Sequence, residues 1–308
     1  MRVIKQFNVL YTLPLAASIL FSLALRGLVF KQLLHNTVKA PLSELSHLCI
    51  TGAAMNILLP ARAGDFFRAF YTGQKYNADK VKIFGTVMFE RIFDMIVIFV
   101  FLSAGVFIYH RNPIALNLCC FAGLCMVFGL IFAVYAYKSK KLDAVCGFLI
   151  KKTGSIPFSS AAEKFISFIN RTCNSFFNGF DVIEHPKYMF TAVIASFSVW
   201  FFECLNFYIT MLGFGCSIHW SVTLFLVGFI ALACMIPSAS IFVGPYQAAV
   251  IAAFAIYDVN KETALAISVT EQAVVIISTS LAALIFLAEH NISYKELKED
   301  INSQKDKL

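Results

Sequence analysis

The chain has 308 residues, 59% of them hydrophobic and 14% charged, with a formal net charge of +7. A soluble domain carries about a quarter charged residues, so the composition excludes one and reads as an integral membrane protein. The positive charge points to an anionic leaflet rather than nucleic acid, because the basic residues lie between apolar spans and no aromatic-plus-basic module is visible.

In chain order, the basic start Met1-Arg2-Val3-Ile4-Lys5 is followed by the apolar run Phe7–Leu25. No small-residue cleavage site follows that run, so it is predicted as a retained first span rather than a signal peptide. Further segments long enough to cross a bilayer are Phe84–Tyr109, Ile114–Tyr137, Tyr188–Leu212 and Ala264–Ala288. Three apolar pieces are too short: Leu48–Leu59, Val222–Ile236 and Tyr246–Tyr257. Short apolar pieces beside Pro/Gly breaks are the mark of discontinuous or re-entrant helices. The distances from Phe7 to Pro60 and from Tyr188 to Pro237 are nearly equal, and a long span follows each break. The pattern fits an inverted repeat, each half reading long span, broken hairpin, long span.

Loop charge sets orientation. Residues 138–187 hold Lys138, Lys140, Lys141, Lys151, Lys152, Lys164, Arg171 and Lys187 and are predicted cytoplasmic, as is the loop with Lys75, Lys80 and Lys82. Gly213–Ser221, without a charged residue, suits the outside. Within the basic segment, Phe165, Ile169, Cys173, Phe176 and Phe180 form an apolar stripe at helical spacing. It fits a helix lying on headgroups or one packed on the bundle. The expected organisation is a first membrane half over 1–137, the basic segment over 138–187, a second half over 188–288, and a polar cytoplasmic tail over 289–308.

Two breaks carry the polar chemistry. At the first, Pro60 ends the incoming helix and Gly64 loosens the backbone, with Arg62, Asp65 and Arg68 spaced three apart. If helical, the three share a flank, the carboxylate between two guanidiniums. Glu90, Arg91 and Asp94 can also share a flank; for Glu90 the competing reading is a helix-end residue snorkelling to headgroups. Glu203, with Asn206 three residues on, and Glu271, beside Gln272, lie inside apolar spans, where a carboxylate is costly unless paired or neutral. Counter-charge for the arginines and proton coupling are both open to them. The second break runs from Pro237 and Ser238 to Gly244 and Pro245. Such backbone is tolerated only facing protein or a wet cavity, and the helix after it aims its first N–H groups into that space. The nine Cys make no C-x-x-C pair and the six His no i, i+4 pair, so no metal and no cofactor is expected.

Asn56 followed by Leu59-Pro60-Ala61-Arg62-Ala63-Gly64-Asp65 and Arg68, then Glu90-Arg91 with Asp94, then Pro237 and Gly244 before an apolar helix, resembles the lysylphosphatidylglycerol synthase transmembrane, or flippase-like, family. The resemblance runs from about Phe7 to Ala288. It implies a multi-span inner-membrane protein that moves an anionic or aminoacylated lipid between leaflets; some relatives are linked to polyprenyl-phosphate carriers. Bifunctional members carry a soluble aminoacyl-transferase domain after the membrane part. The stretch after Ala288 is too short for one, so lysyl transfer is not expected. Ser238-Ala239-Ser240-Ile241 also departs from the Pro-Gly-rich turn common at the second break.

The reading is an all-α polytopic protein of the cell (inner, cytoplasmic) membrane, with about 6–8 membrane segments including the two broken hairpins. The expected function is a flippase for an anionic phospholipid or polyprenyl-phosphate lipid. Substrate binding falls to Arg62, Asp65, Arg68, Arg91, Asp94, Glu203, Pro237, Ser238, Gly244 and Glu271. Arg62 and Arg68 would take the phosphate, while Asp65 and Asp94 hold the arginines. No G-x-x-x-x-G-K-[ST] string is present, so any drive is a gradient, mass action or none. Two readings stand beside it: an integral-membrane transferase acting on a lipid donor, and an accessory subunit of a lipid or glycan pathway. Homo-oligomerisation and a lipid-modifying enzyme partner are also open.

Overall fold

The computed structural model describes residues 6–59, 62–109, 159–216, 218–233 and 244–289, with isolated positions at 123, 128, 129 and 135. All regular structure among these residues is helical, and the chain is an all-α polytopic membrane protein. The helices are α1 (Thr12–Leu33), α2 (Leu42–Leu58), α3 (Ala63–Lys75), α4 (Lys80–Tyr109), α5 (Ser159–Asn178), α6 (Pro186–Gly213), α7 (Val222–Ala233), α8 (Pro245–Ala255) and α9 (Lys261–Glu289). Four of them, α1, α4, α6 and α9, are long and apolar enough to cross a membrane. The expected span Ile114–Tyr137 falls almost wholly outside the described residues, as do Pro237, Ser238 and the tail from 290 on.

Helix α1 runs past Leu25, where the apolar run ends, through Arg26 to Leu33. A charge closes a hydropathy run but not a helix, and Arg26 is neutralised by two carboxylates of α4. Helix α2 likewise starts at Leu42 rather than Leu48, because Glu44 is held by Lys75 (2.9 Å) and by Tyr76. It ends at an extended Leu59, as Pro60 requires. At about 1.5 Å per residue, α2, α3, α7 and α8 are each shorter than the roughly 30 Å hydrocarbon core.

Helices α1 and α6 pack along their length and run antiparallel. At one end Asn8 N donates to Gly213 O (2.9 Å) and Phe7 meets Phe214. At the other, Asn36 Nδ2 donates to His185 Nε2 (2.7 Å) and His35 stacks on Tyr188. Around this seam the halves exchange partners: α2 packs on α9 and α7 packs on α4. His47 near the start of α2 meets Phe286 near the end of α9, while Phe225 near the start of α7 seats on Gly105 near the end of α4. An antiparallel central pair with reciprocal outer pairs is the contact pattern of an inverted repeat. Both halves also place a residue with positive φ directly before their second short helix, Arg62 (φ 53°) and Gly244 (φ 98°).

Of the two readings for the amphipathic stripe, the described contacts show packing on the bundle at the C-terminal end of α5. Gly85 of α4 sits against the Phe176 backbone so closely that a Cβ would lie 2.0 Å from its carbonyl oxygen. Phe176 also meets Phe84, and Phe180 packs on Phe89. The same corner is pinned by Asp79, whose Oδ1 accepts from Val81 N (2.8 Å) and Lys82 N (3.2 Å), capping α4, while Oδ2 accepts from Ser175. Burial alone would raise this carboxyl, but the Ser175 hydroxyl and the two amides outweigh it and hold it below its ordinary value. A depressed carboxyl contributes stability that is present above its unfolded pKa and is lost as pH falls through the folded one. Asp79→Ala should therefore cost about 1 kcal/mol at neutral pH, read as a lower unfolding midpoint, with the difference from wild type vanishing in acid.

Candidate functional site

The first break is built from its backbone outwards. Arg62 takes a left-handed conformation (φ 53°, ψ 45°) and caps α3 without a side-chain bond of its own. The cap comes instead from α2, where Asn56 Oδ1 accepts from Gly64 N (2.8 Å) and Asn56 Nδ2 donates to Asp65 Oδ1 (3.2 Å). One amide thus satisfies an orphan N–H of the new helix and orients its carboxylate. The fit needs glycine on both sides: a Cβ on Gly64 would lie 1.8 Å from the Gly52 carbonyl oxygen, and one on Gly52 would meet the Arg68 stem at 2.8 Å.

Behind the break, six charged side chains close a ring of alternating sign. Arg68 pairs with Glu90 (2.7 Å), and Glu90 with Arg26 (3.1 Å). Arg26 reaches Asp94 (2.9 Å), Asp94 meets Arg91 (3.1 Å), and Arg91 meets Asp65 (2.7 Å). A longer Asp65–Arg68 contact of 3.9 Å completes the circuit. Three guanidiniums and three carboxylates cancel, which is how they can share an apolar bundle. The ring joins α1, α3 and α4. Trp200 Nε1 of α6 donates to Asp94 Oδ1 (2.8 Å), tying in a fourth helix, and the Arg68 guanidinium also stacks on Phe30 (4.4 Å).

The predicted residues fall into three groups. Asp65, Arg68, Arg91 and Asp94 are together in the ring, Arg68 with only 2% of its side chain exposed. Glu90 is fully buried and bonded to two arginines, so it is a ring member and does not snorkel to the headgroups. Arg62 is exposed, outside the ring, and makes no salt bridge among the described residues. Among the described residues ring capacity remains unused: Nε of Arg68, Nε of Arg91 and Oδ2 of Asp65 are buried without hydrogen-bond partners there. Arg91 is the ring arginine with the most exposure, 25% of its side chain.

Glu203 and Glu271 stand apart from the arginines. Glu203 accepts from Ser22 Oγ of α1 (3.0 Å) and, at 3.4 Å, from Asn206 Nδ2. Glu271 accepts from Tyr246 Oη of α8, and Gln247 Nε2 donates to Gln272 Oε1. In the second half, amides stand at the positions that hold the Asp65–Arg91 ion pair in the first. Counted from the starts of their helices, Glu271 occupies the place of Glu90, Gln247 that of Asp65 and Gln272 that of Arg91. The Asp65–Arg91 ion pair thus becomes an amide–amide hydrogen bond. Gly244 N donates to Gln247 Oε1 (2.7 Å), closing the turn there.

Arg26, Ser22 and Trp200 were not among the predicted site residues. Arg26 ends an apolar run and looks like a span boundary; only its pairing across α1 and α4, far apart in sequence, makes it part of the site. An arginine one residue beyond a membrane run, in a chain with carboxylates deep in other runs, was the available signal.

In comparisons with known proteins, no curated protein and no solved structure matches the chain. The family model for the lysylphosphatidylglycerol synthase TM region matches residues 1–283, and the chain belongs to that family.

Proposed function

We propose that this protein is a flippase of the inner membrane that moves an anionic phospholipid or a polyprenyl-phosphate lipid between leaflets without covalent chemistry. Family membership supports a lipid-related role, and the break supports the sign of the headgroup. The observation that carries the reading is Arg62: an exposed guanidinium with no salt bridge among the described residues, held by a left-handed turn against a ring already neutral without it. A phosphate arriving there meets positive charge that no described carboxylate pairs, and Arg91, a quarter exposed, is the ring arginine most open to it. Arg68 is enclosed by its carboxylates and reaches a headgroup only when the ring opens. Asp65, Asp94 and Glu90 hold the arginines in place, and Glu271 with Gly244, Pro237 and Ser238 would serve the substrate in the second half. The inverted repeat supports alternating access, since two related hairpins offer related paths to opposite sides.

The test is translocation of headgroup-labelled phosphatidylglycerol and of a polyprenyl phosphate in proteoliposomes. Arg62→Ala should slow transport by roughly 10-fold or more, the loss expected for one charge-assisted hydrogen bond, while Arg62→Lys should retain part of the rate. Unchanged rates in Arg62→Ala would reject Arg62 as the phosphate contact. Covalent turnover of a lipid would replace the flippase with a transferase. Absence of flipping of any lipid would favour an accessory subunit.

A further inference from the structure

The α1–α6 seam carries a polar cluster that the charged ring does not use. Glu203 lies on it with Ser22 and Asn206, and no Lys, Arg or His lies within salt-bridge distance of its carboxylate among the described residues. Arg26, one turn along α1 from Ser22, has its guanidinium turned onto Glu90 and Asp94 instead. Two further oxygens are left over. Asn206 is fully buried and its Oδ1 has no hydrogen-bond partner among the described residues; Ser18 is 7% exposed and its Oγ has none among them either. Both lie on the same side of the Ser22–Glu203 contact. Ser18 is one turn before Ser22 on α1, Asn206 nearly one turn after Glu203 on α6, and the two helices run antiparallel, so both steps lead the same way from the Ser22–Glu203 contact.

A buried oxygen acceptor without a donor costs free energy, and a buried carboxylate without a cation costs more. One small cation relieves both. We propose that Ser18 Oγ, Ser22 Oγ, the Glu203 carboxylate and Asn206 Oδ1 form a sodium site on the seam between the repeats. The donor set is all oxygen with a single negative charge, which suits a hard monovalent ion; a divalent ion would ask for more carboxylates. Seams between inverted repeats are where transporters place coupling ions. The seam joins α1 and α6 at their facing residues, so an ion there ties the halves together in one conformation and makes sodium a ligand of the transport cycle. The site rests on these residues alone and holds whichever lipid is carried.

The protein contains two tryptophans, and Trp200 sits on α6 one turn before Glu203. Intrinsic fluorescence of the purified full chain in detergent, titrated with NaCl against choline chloride at constant ionic strength, reads the site without any transport. A saturable sodium response is expected, absent in Glu203→Gln and shifted to roughly 10-fold or higher sodium in Ser18→Ala, which removes one ligand and no charge. Thermal unfolding in the same buffers should show sodium raising the midpoint in wild type but not in Glu203→Gln. A response to pH with none to sodium would assign the carboxylate to a proton and overturn the proposal. A flat response to both, with the protein folded, would leave ordered water as the partner of these oxygens and overturn it equally. A sodium response without lipid flipping would keep the site and reject the transport reading.

Discussion

Glu90→Gln should be among the most damaging single substitutions in this protein, lowering stability by about 3–5 kcal/mol. The change preserves shape and removes one charge. Glu90 is fully buried and is the only ring carboxylate that bonds both Arg68 and Arg26. Its loss leaves the ring with one uncompensated positive charge among apolar helices. Arg62→Ala removes a charge only six residues from Arg68 in sequence, but from an exposed position, and should shift stability by no more than about 0.5 kcal/mol. The measurement is the denaturation midpoint of detergent-solubilised protein for both variants. Equal small effects would mean that the ring is not closed in the folded protein. Adding Arg68→Met to Glu90→Gln should recover part of the loss, because the two residues share one ion pair and their effects are not additive.

Gly64→Ala should prevent correct assembly of the first hairpin, and Gly52→Ala should be milder. A Cβ on Gly64 lands 1.8 Å from a backbone oxygen and 2.6 Å from the carbonyl carbon of Gly52, neither of which can move without moving α2. It also crowds Asn56 Oδ1 at 2.9 Å, the acceptor that caps α3 and, through its amide, orients Asp65. Overpacking alone costs about 1–3 kcal/mol, and loss of the cap adds to it. On Gly52 the nearest atoms belong to the Arg68 stem, a flexible chain that yields at lower cost. Folded yield and unfolding midpoint should therefore fall in the order wild type, Gly52→Ala, Gly64→Ala. The reverse order would show that the α2–α3 contact is looser than the geometry here.

The two halves differ in how they carry charge. In the first half, charge is concentrated and internally cancelled, with Arg62 left over at the break. In the second, the positions of Asp65 and Arg91 hold Gln247 and Gln272, which keep a cross-helix bond without charge. One architecture thus places an exposed arginine at the first break and, in the second half, an uncharged Gln247–Gln272 pair beside Glu271.

Much of this was legible in the sequence, for physical reasons. Hydropathy is a local property summed over a window, so five long segments and the short pieces beside Pro60 and Gly244 stand out without any tertiary knowledge, and four of the five are spanning helices among the described residues. Proline and glycine act on their own backbone, so the first break is readable in place; Arg62 and Asp65 mark it because charges in an apolar chain are few. What the sequence by itself determined was therefore the all-α polytopic class, the order of long and short segments in each half, and which residues carry charge near the breaks. Only the tertiary structure decided which charges meet. Arg26 and Glu90 are far apart in sequence, as are Ser22 and Glu203, and their pairing depends on helix register and the antiparallel seam. The structure also separated Arg68, enclosed between Glu90 and Phe30, from Arg62 at the surface. Helical spacing alone made those two arginines equivalent, because spacing gives the side of a helix and not what is packed against it.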